Sequence, residues 1–237
     1  MEPLPSHMDV EDLKRQAGQT ACAFIESGMK LGLGTGSTVK YVLQEIARRI
    51  QDENLVVVGV PTSIETERIS NKLGIPLCSL DEIDELDLVI DGADEFDPDF
   101  NLIKGGGAAL VREKIIAQSG KKLIVVADER KQVQTLGTFP LPIEINQFSH
   151  LTTIRQLERL LQCEARLRMQ GDTPLITDNG NFIADAFTGP SIDDPISLEQ
   201  DILHLAGVVQ VGIFTNMCHV VVLAKDSGVE VLMNSVA

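Results

Sequence analysis

Apolar positions along the chain follow two different periods. Val39, Val42, Leu43, Ile46, Ala47 and Ile50 recur at helical spacing, and the stretch from Leu13 to Ser27 does the same. Between such segments lie short apolar runs: GMKLGLG, LVVVGV at 55–60, LDLVI at 86–90 and KLIVVAD at 122–128. These are too short for helices and predict buried strands. With further helices at 63–73 and 108–119, the order is βαβαβ, so the spacing predicts an α/β fold with a doubly wound sheet.

After Gly137 the rhythm changes. Strand 141–145, helix 149–162, strands 164–169 and 181–187, helix 197–205 and strand 208–214 make a βαββαβ, ferredoxin-like α+β unit. The closing HVVVLAKDSGVEVLM reads as a hairpin whose apolar first strand rejoins the first sheet. The expected organisation is a first domain at 9–136 completed by 215–237, an insertion at 137–214, and a disordered tail at 1–8.

Composition removes several functions. Aromatic residues are 4% of the chain and Trp is absent, so the core is aliphatic. With 35 acidic against 20 basic residues the net charge is −15, which repels nucleic acid and anionic membranes, so neither is expected as a partner. Cys22, Cys78, Cys163 and Cys218 lie far apart with no CxxC, which argues for a reducing compartment and against a zinc site. No run approaches 18 apolar residues, and the first residues lack the pattern of a signal peptide. A cytoplasmic protein is expected.

An anionic ligand must therefore be drawn by local donors. In LGLGTGSTVKY, from Leu31, Ser37 stands where a dinucleotide fingerprint needs its third glycine, and Lys40 follows Val39 rather than a glycine, which excludes a Walker loop. What remains is a glycine turn at a helix N-terminus with two hydroxyls, Ser37 and Thr38, suited to one compact phosphate or to sugar hydroxyls. Simple helix capping by those hydroxyls is the alternative. DGADE (91–95) follows an apolar strand, putting Asp91, Asp94 and Glu95 at its carboxyl end. In LIKGGGAALVREKIIAQ, Lys104 precedes three glycines and a helix on which Glu113 has only apolar neighbours three and four residues away. Glu113 is either half of a buried ion pair or a desolvated base of raised pKa.

GLGTGSTV, DGADE, NLIKGGGAALVREKI, DERKQV and TDNGN together resemble ribose-5-phosphate isomerase of the A type. The resemblance implies a Rossmann-like domain with an inserted lid, a homodimer or homotetramer, and aldose–ketose isomerisation of ribose 5-phosphate and ribulose 5-phosphate through an enediolate, in the pentose phosphate pathway, with neither metal nor cofactor. It places the substrate on Thr35, Gly36, Ser37 and Thr38, on Asp91, Gly92, Ala93 and Asp94, on Lys104, Gly105, Gly106 and Gly107, and on Lys131. Glu113 becomes the proton acceptor, with Asp91, Asp94 and Lys104 catalytic beside it. Arg130 stands where the family leads one to expect serine, and TNMCHV (215–220) where a small-acidic pair is expected. Two other classes fit parts of the pattern: a non-catalytic sugar-phosphate sensor, and a CoA transferase with Glu113 as nucleophile.

Overall fold

The computed structural model describes residues 9–235; residues 1–8, read above as a tail, and residues 236–237 lie outside it. Helix α1 (Val10–Cys22) begins and ends before the expected 13–27, because Asp9 caps its first turn by accepting the Glu11 N–H and Ala23 closes it. Then follow β1 (Lys30–Leu33), α2 (Val39–Glu53), β2 (Val58–Pro61), α3 (Ile64–Leu73) and β3 (Leu88–Gly92). Two short strands, β4 (Glu95–Phe96) and β5 (Leu102–Ile103), precede α4 (Leu110–Gln118) and β6 (Leu123–Asp128). The next stretch holds β7 (Leu141–Ile145), α5 (His150–Leu161), β8 (Ala165–Leu167), β9 (Met169–Gln170), β10 (Thr173–Pro174) and β11 (Phe182–Ala186). It continues through α6 (Pro195–Leu203), β12 (Val208–Val211) and β13 (Ile213–Phe214), and the chain ends in β14 (Cys218–Lys225) and β15 (Gly228–Met233).

The main sheet has the order β15-β14-β6-β3-β1-β2 and is parallel except for the antiparallel edge strand β15. From β1 the chain winds outward to β2 and then returns to β3 on the other side. The carboxyl ends of β1 and β3 therefore part, and that switch point is where open parallel sheets take ligands. The continuous apolar runs are explained by burial on both faces: Leu88, Ile90, Ile124, Val126, Val220 and Val222 pack into one core with α1 and α2, whereas Val89, Leu123, Val125, Val221 and Leu223 enter a second core on the opposite face.

The inserted strands form an antiparallel sheet of order β12-β7-β11-β8, which is the ferredoxin-like arrangement. Two of its expected strands are interrupted. The segment 164–169 breaks after Leu167, and β9 pairs with β10 around Gly171, whose φ is +62°. The segment 208–214 breaks at Gly212, after which β13 pairs with β5 in a separate three-stranded sheet. A Cβ at Gly212 would stand 2.2 Å from the Lys104 carbonyl oxygen, so only glycine lets the two backbones meet here.

Lys114 joins α4 to the inserted strands. Its Nζ donates to Glu199 Oε1 (2.6 Å), Gln210 Oε1 (2.9 Å) and the carbonyls of Val211 (2.8 Å) and Ile213 (2.7 Å). Burial holds this ammonium below its ordinary pKa, against the pull of Glu199. Removing it takes the ammonium from a half-buried carboxylate and leaves two buried carbonyls without this donor. Lys114→Met should therefore lower the unfolding free energy by about 3–5 kcal/mol, and Lys114→Met with Glu199→Leu should recover part of that loss, both measurable by urea denaturation.

Candidate active site

The first wall of the site is the turn after β1. A Cβ at Gly34 would lie 2.2 Å from Asp91 Oδ1, so the glycine lets this turn approach the end of β3. The Thr35 N–H donates to Asp91 Oδ1 (3.0 Å), and its hydroxyl joins those of Thr62 (2.7 Å) and Ser63 (2.8 Å). Gly36 then takes a φ of +122°. Thr38 flanks α2 without a side-chain capping bond, and the first turn of that helix carries no acidic residue. The capping alternative for Thr38 is thus not realised, and Ser37, Thr38 and Val39, at the start of this helix, line the cleft.

The second wall is DGADE, whose three carboxylates separate. Asp91 is 1% exposed and turns inward: Oδ1 accepts the N–H groups of Thr35 and Gly92, and Oδ2 lies 3.1 Å from Lys104 Nζ. Asp94 turns toward the cleft, with Oδ2 accepting the Gly106 N–H at 2.7 Å. Glu95 leaves the cluster altogether, accepting the N–H groups of Gly137 and Phe139 at the entrance to the insertion. The chain bends at Asp94 between β3 and β4, and Asp91, Asp94 and Glu95 go to different partners.

The third wall supplies the cation. Lys104 follows β5, is 2% exposed, and its Nζ donates to the Gly92 carbonyl and to Glu113 Oε1 (3.1 Å). Burial acts to lower its pKa, but the charges of Asp91 and Glu113 outweigh burial, so it is held above its ordinary range. Glu113, in the first turn of α4, pairs with Lys104 and with neither Arg112 nor Lys114. Arg112 reaches Asn179 Oδ1 and the Asp178 carbonyl instead. Burial pushes the Glu113 carboxyl up to about 8, opposed by Lys104 and reinforced by Asp91. Its second oxygen, Oε2, is buried without a hydrogen-bond partner.

These walls enclose a cleft of about 290 Å³. Thr35, Gly36, Ser37, Thr38, Gly92, Ala93, Asp94, Lys104, Gly105, Gly106, Gly107, Glu113 and Lys131 all line it; Asp91 lies just behind the lining. The sequence reading missed Lys14 and Asp128, which also line the cleft, and Arg130 proves to fold back on Asp128 through Nε and Nη2. Lys14 sits on α1 beside Glu11, in the pattern of an ordinary exposed helix pair, so nothing local marks it. TDNGN stands outside the cleft: Thr177, Asn179 and Asn181 converge on buried Glu144, and Asp178 accepts the Ile64 N–H at the start of α3. In TNMCHV, Thr215 donates to Glu199 and His219 accepts the Leu123 N–H. Among the described residues no three His, Cys, Asp or Glu side chains are grouped to hold a metal, and no helix is long and apolar enough to cross a membrane.

Comparison with known proteins gives the family of the chain. The model of the family ribose 5-phosphate isomerase A (phosphoriboisomerase A) matches residues 58–228. Ribose-5-phosphate isomerase A of Bacillus mycoides (strain KBAB4) is 49% identical over 92% of this chain and 98% of its own length. Ribose 5-phosphate isomerase from Plasmodium falciparum superposes with a TM-score of 0.92 at 41% identity, covering 95% of this chain and all of that one. A D-ribose-5-phosphate isomerase in complex with phospho-erythronic acid gives the same TM-score, identity and coverage. With its doubly wound sheet, its inserted unit and relatives alike over nearly their whole length, the chain belongs to the ribose 5-phosphate isomerase A family of aldose–ketose isomerases.

Proposed function

We propose that the chain interconverts ribose 5-phosphate and ribulose 5-phosphate through an enediolate, with Glu113 as the base and without a metal. The observation that carries this reading is the orphaned Oε2 of Glu113, a buried carboxylate oxygen on a cleft-lining residue whose other oxygen is tied to Lys104. A carboxylate with one oxygen anchored and one unengaged keeps a lone pair that can take a proton. Its pKa, raised to about 8, makes it a far stronger base than an ordinary glutamate once it is ionised.

In the forward direction, Glu113 takes the C2 proton of the open-chain aldose. The C–H electron pair becomes the C1–C2 double bond, and the carbonyl π pair moves to O1 as an oxyanion. Lys104 supplies positive charge there, in place of a Lewis acid. The proton returns from Glu113 to C1 while the O2 proton passes to O1, which leaves the ketose. Asp94 is the cleft carboxylate available for ring opening and for that hydroxyl transfer, whereas Asp91, with both oxygens engaged, holds Lys104 and the Thr35 turn in place. The phosphate belongs at Ser37, Thr38 and Lys131, because a helix start and an ammonium attract a dianion that Glu113 and Asp94 would repel. The complex of the relative with phospho-erythronic acid, a phosphorylated sugar acid, supports a pocket for a phosphate and a charged oxygen pair together.

Glu113→Gln keeps the shape of the side chain and cannot accept a carbon-bound proton. Its kcat should fall by about 10²- to 10⁴-fold, and exchange of the substrate C2 hydrogen with deuterated water should slow in parallel, as read by NMR. Wild-type exchange in a folded variant would move the search for the base to Asp94. The activity of the wild-type enzyme should be unchanged after dialysis against EDTA. Loss restored by a divalent ion would overturn the metal-free mechanism.

The pH dependence has a definite sign. The folded state holds a proton on Glu113 that the unfolded chain releases near 4.5, so this group's contribution to stability is full below about 4.5 and is lost as pH rises through about 8. Activity runs the other way, since only the ionised form is a base. The acidic limb of kcat/KM should lie well above 4.5, toward 8, and Glu113→Gln should flatten both the limb and the fall in thermal stability between those values. A limb in the ordinary carboxylate range would show that Glu113 is not the titrating base.

A further inference from the structure

The glycines at 105–107 have no side chains to pack, and Gly105 adopts a φ of +107°, so hydrogen bonds must fix the direction of these peptides. One partner comes from the inserted unit. Arg168 Nη1 donates to the Gly105 carbonyl at 2.8 Å and to the Gly106 carbonyl at 3.1 Å. The other edge of its guanidinium, Nε and Nη2, is held by both oxygens of Asp185 on β11, and the two side chains are only 15% and 18% exposed.

A trans peptide is planar, with its C=O and N–H pointing in opposite directions. Holding the Gly105 carbonyl therefore turns the Gly106 N–H away from Arg168, and that N–H meets Asp94 Oδ2 at 2.7 Å. The next peptide has its carbonyl on the same guanidinium, so the Gly107 N–H must also point away from Arg168, toward the side on which Gly107 lines the cleft. The arrangement also keeps two carbonyl oxygens off a site for an anion, and a cation at the carbonyl end strengthens the N–H as a donor.

We propose that Arg168, clamped by Asp185, is a positioning residue that aims the Gly107 N–H at a substrate oxygen; the inference rests on the isomerase reading above. Arg168 does not line the cleft and touches no reacting atom. A lysine could not replace it, because one ammonium cannot span two carbonyls and a bidentate carboxylate.

The test compares wild type, Arg168→Gln, Arg168→Lys and Asp185→Asn for kcat/KM on ribose 5-phosphate, for affinity toward phospho-erythronic acid by calorimetry, and for thermal unfolding. Both Arg168 variants should lose about 10- to 100-fold in kcat/KM, as expected for a misaimed donor. They should also bind phospho-erythronic acid at least several-fold more weakly, with the acidic limb of the pH profile unmoved. Asp185→Asn should fall between them and wild type. Folded Arg168 variants with wild-type kcat/KM and wild-type affinity but a lower melting temperature would reduce the residue to a strut and overturn the proposal. If Arg168→Gln does not fold, Arg168→Lys carries the decision, because a strut tolerates lysine and an aimed peptide does not. A wild-type chain with no turnover would sink the isomerase reading itself; equal affinities of wild type and variants for phospho-erythronic acid would then overturn the Arg168 proposal separately.

Discussion

Lys104 is an ammonium withdrawn from water, with Asp91 and Glu113 each 3.1 Å from its Nζ. Burying such a charge costs several kcal/mol unless it is paired, and here one cation faces two anions. The two carboxylates differ in their other partners. Asp91 also accepts two backbone N–H groups, whereas Glu113 has only Lys104, and burial, reinforced by the nearby charge of Asp91, raises the proton affinity of Glu113. The same contact that holds three segments together thus divides the labour between them.

That contact constrains the surrounding fold. Lys104 reaches the cluster only because its own backbone N–H donates to the Gly212 carbonyl, where the chain leaves the inserted sheet for β13. Beside it, the Phe214 ring lies 5.6 Å from Lys104 Nζ and 4.8 Å from Lys114 Nζ, an apolar divider between two buried ammonium groups. Each of these lysines has its own acceptors, so α4 sends Glu113 to the cleft and Lys114 to the insertion in successive positions. The insertion also approaches from the far side through Arg168 and through Asp178, which meets the starts of α3 and α4. The wall that carries Lys104 and Glu113 is therefore braced both by the inserted unit and by the parallel sheet.

Charge is distributed with the same economy across the cleft. The chain carries a net charge of −15, yet Lys14, Lys104, Arg130 and Lys131 all border one small cavity. Three of these are already engaged, Lys14 by Glu11, Lys104 by the carboxylate pair and Arg130 by Asp128. Basic groups are thus gathered at one cleft, beside Asp94, Glu113 and Asp128, in a molecule whose net charge repels anions at long range.

Much of this was written in the order of residues. Apolar runs buried on both faces, glycine turns after two strands, and a glutamate among apolar neighbours are local facts, and local spacing is enough to place them on strands, turns and a helix. Spacing also left Glu113 open between an ion-pair partner and a base, and could not tell Asp91 from Asp94. The partners of these side chains come from segments far apart: Lys104 reaches Glu113 and Asp91 across a strand and a glycine loop, and Asp91 also accepts the Thr35 N–H. Lys14 and Arg168 gave no signal at all, since each is one basic residue among many until the sheet brings the first and the insertion brings the second to the site. The breaks in the strands at 164–169 and 208–214 were hidden for the same reason, because pairing partners, which the sequence does not contain, decide where a strand ends. Periodicity marks what each segment is; the desolvation of Lys104 and the set of side chains that share its cleft are decided only when those segments pack.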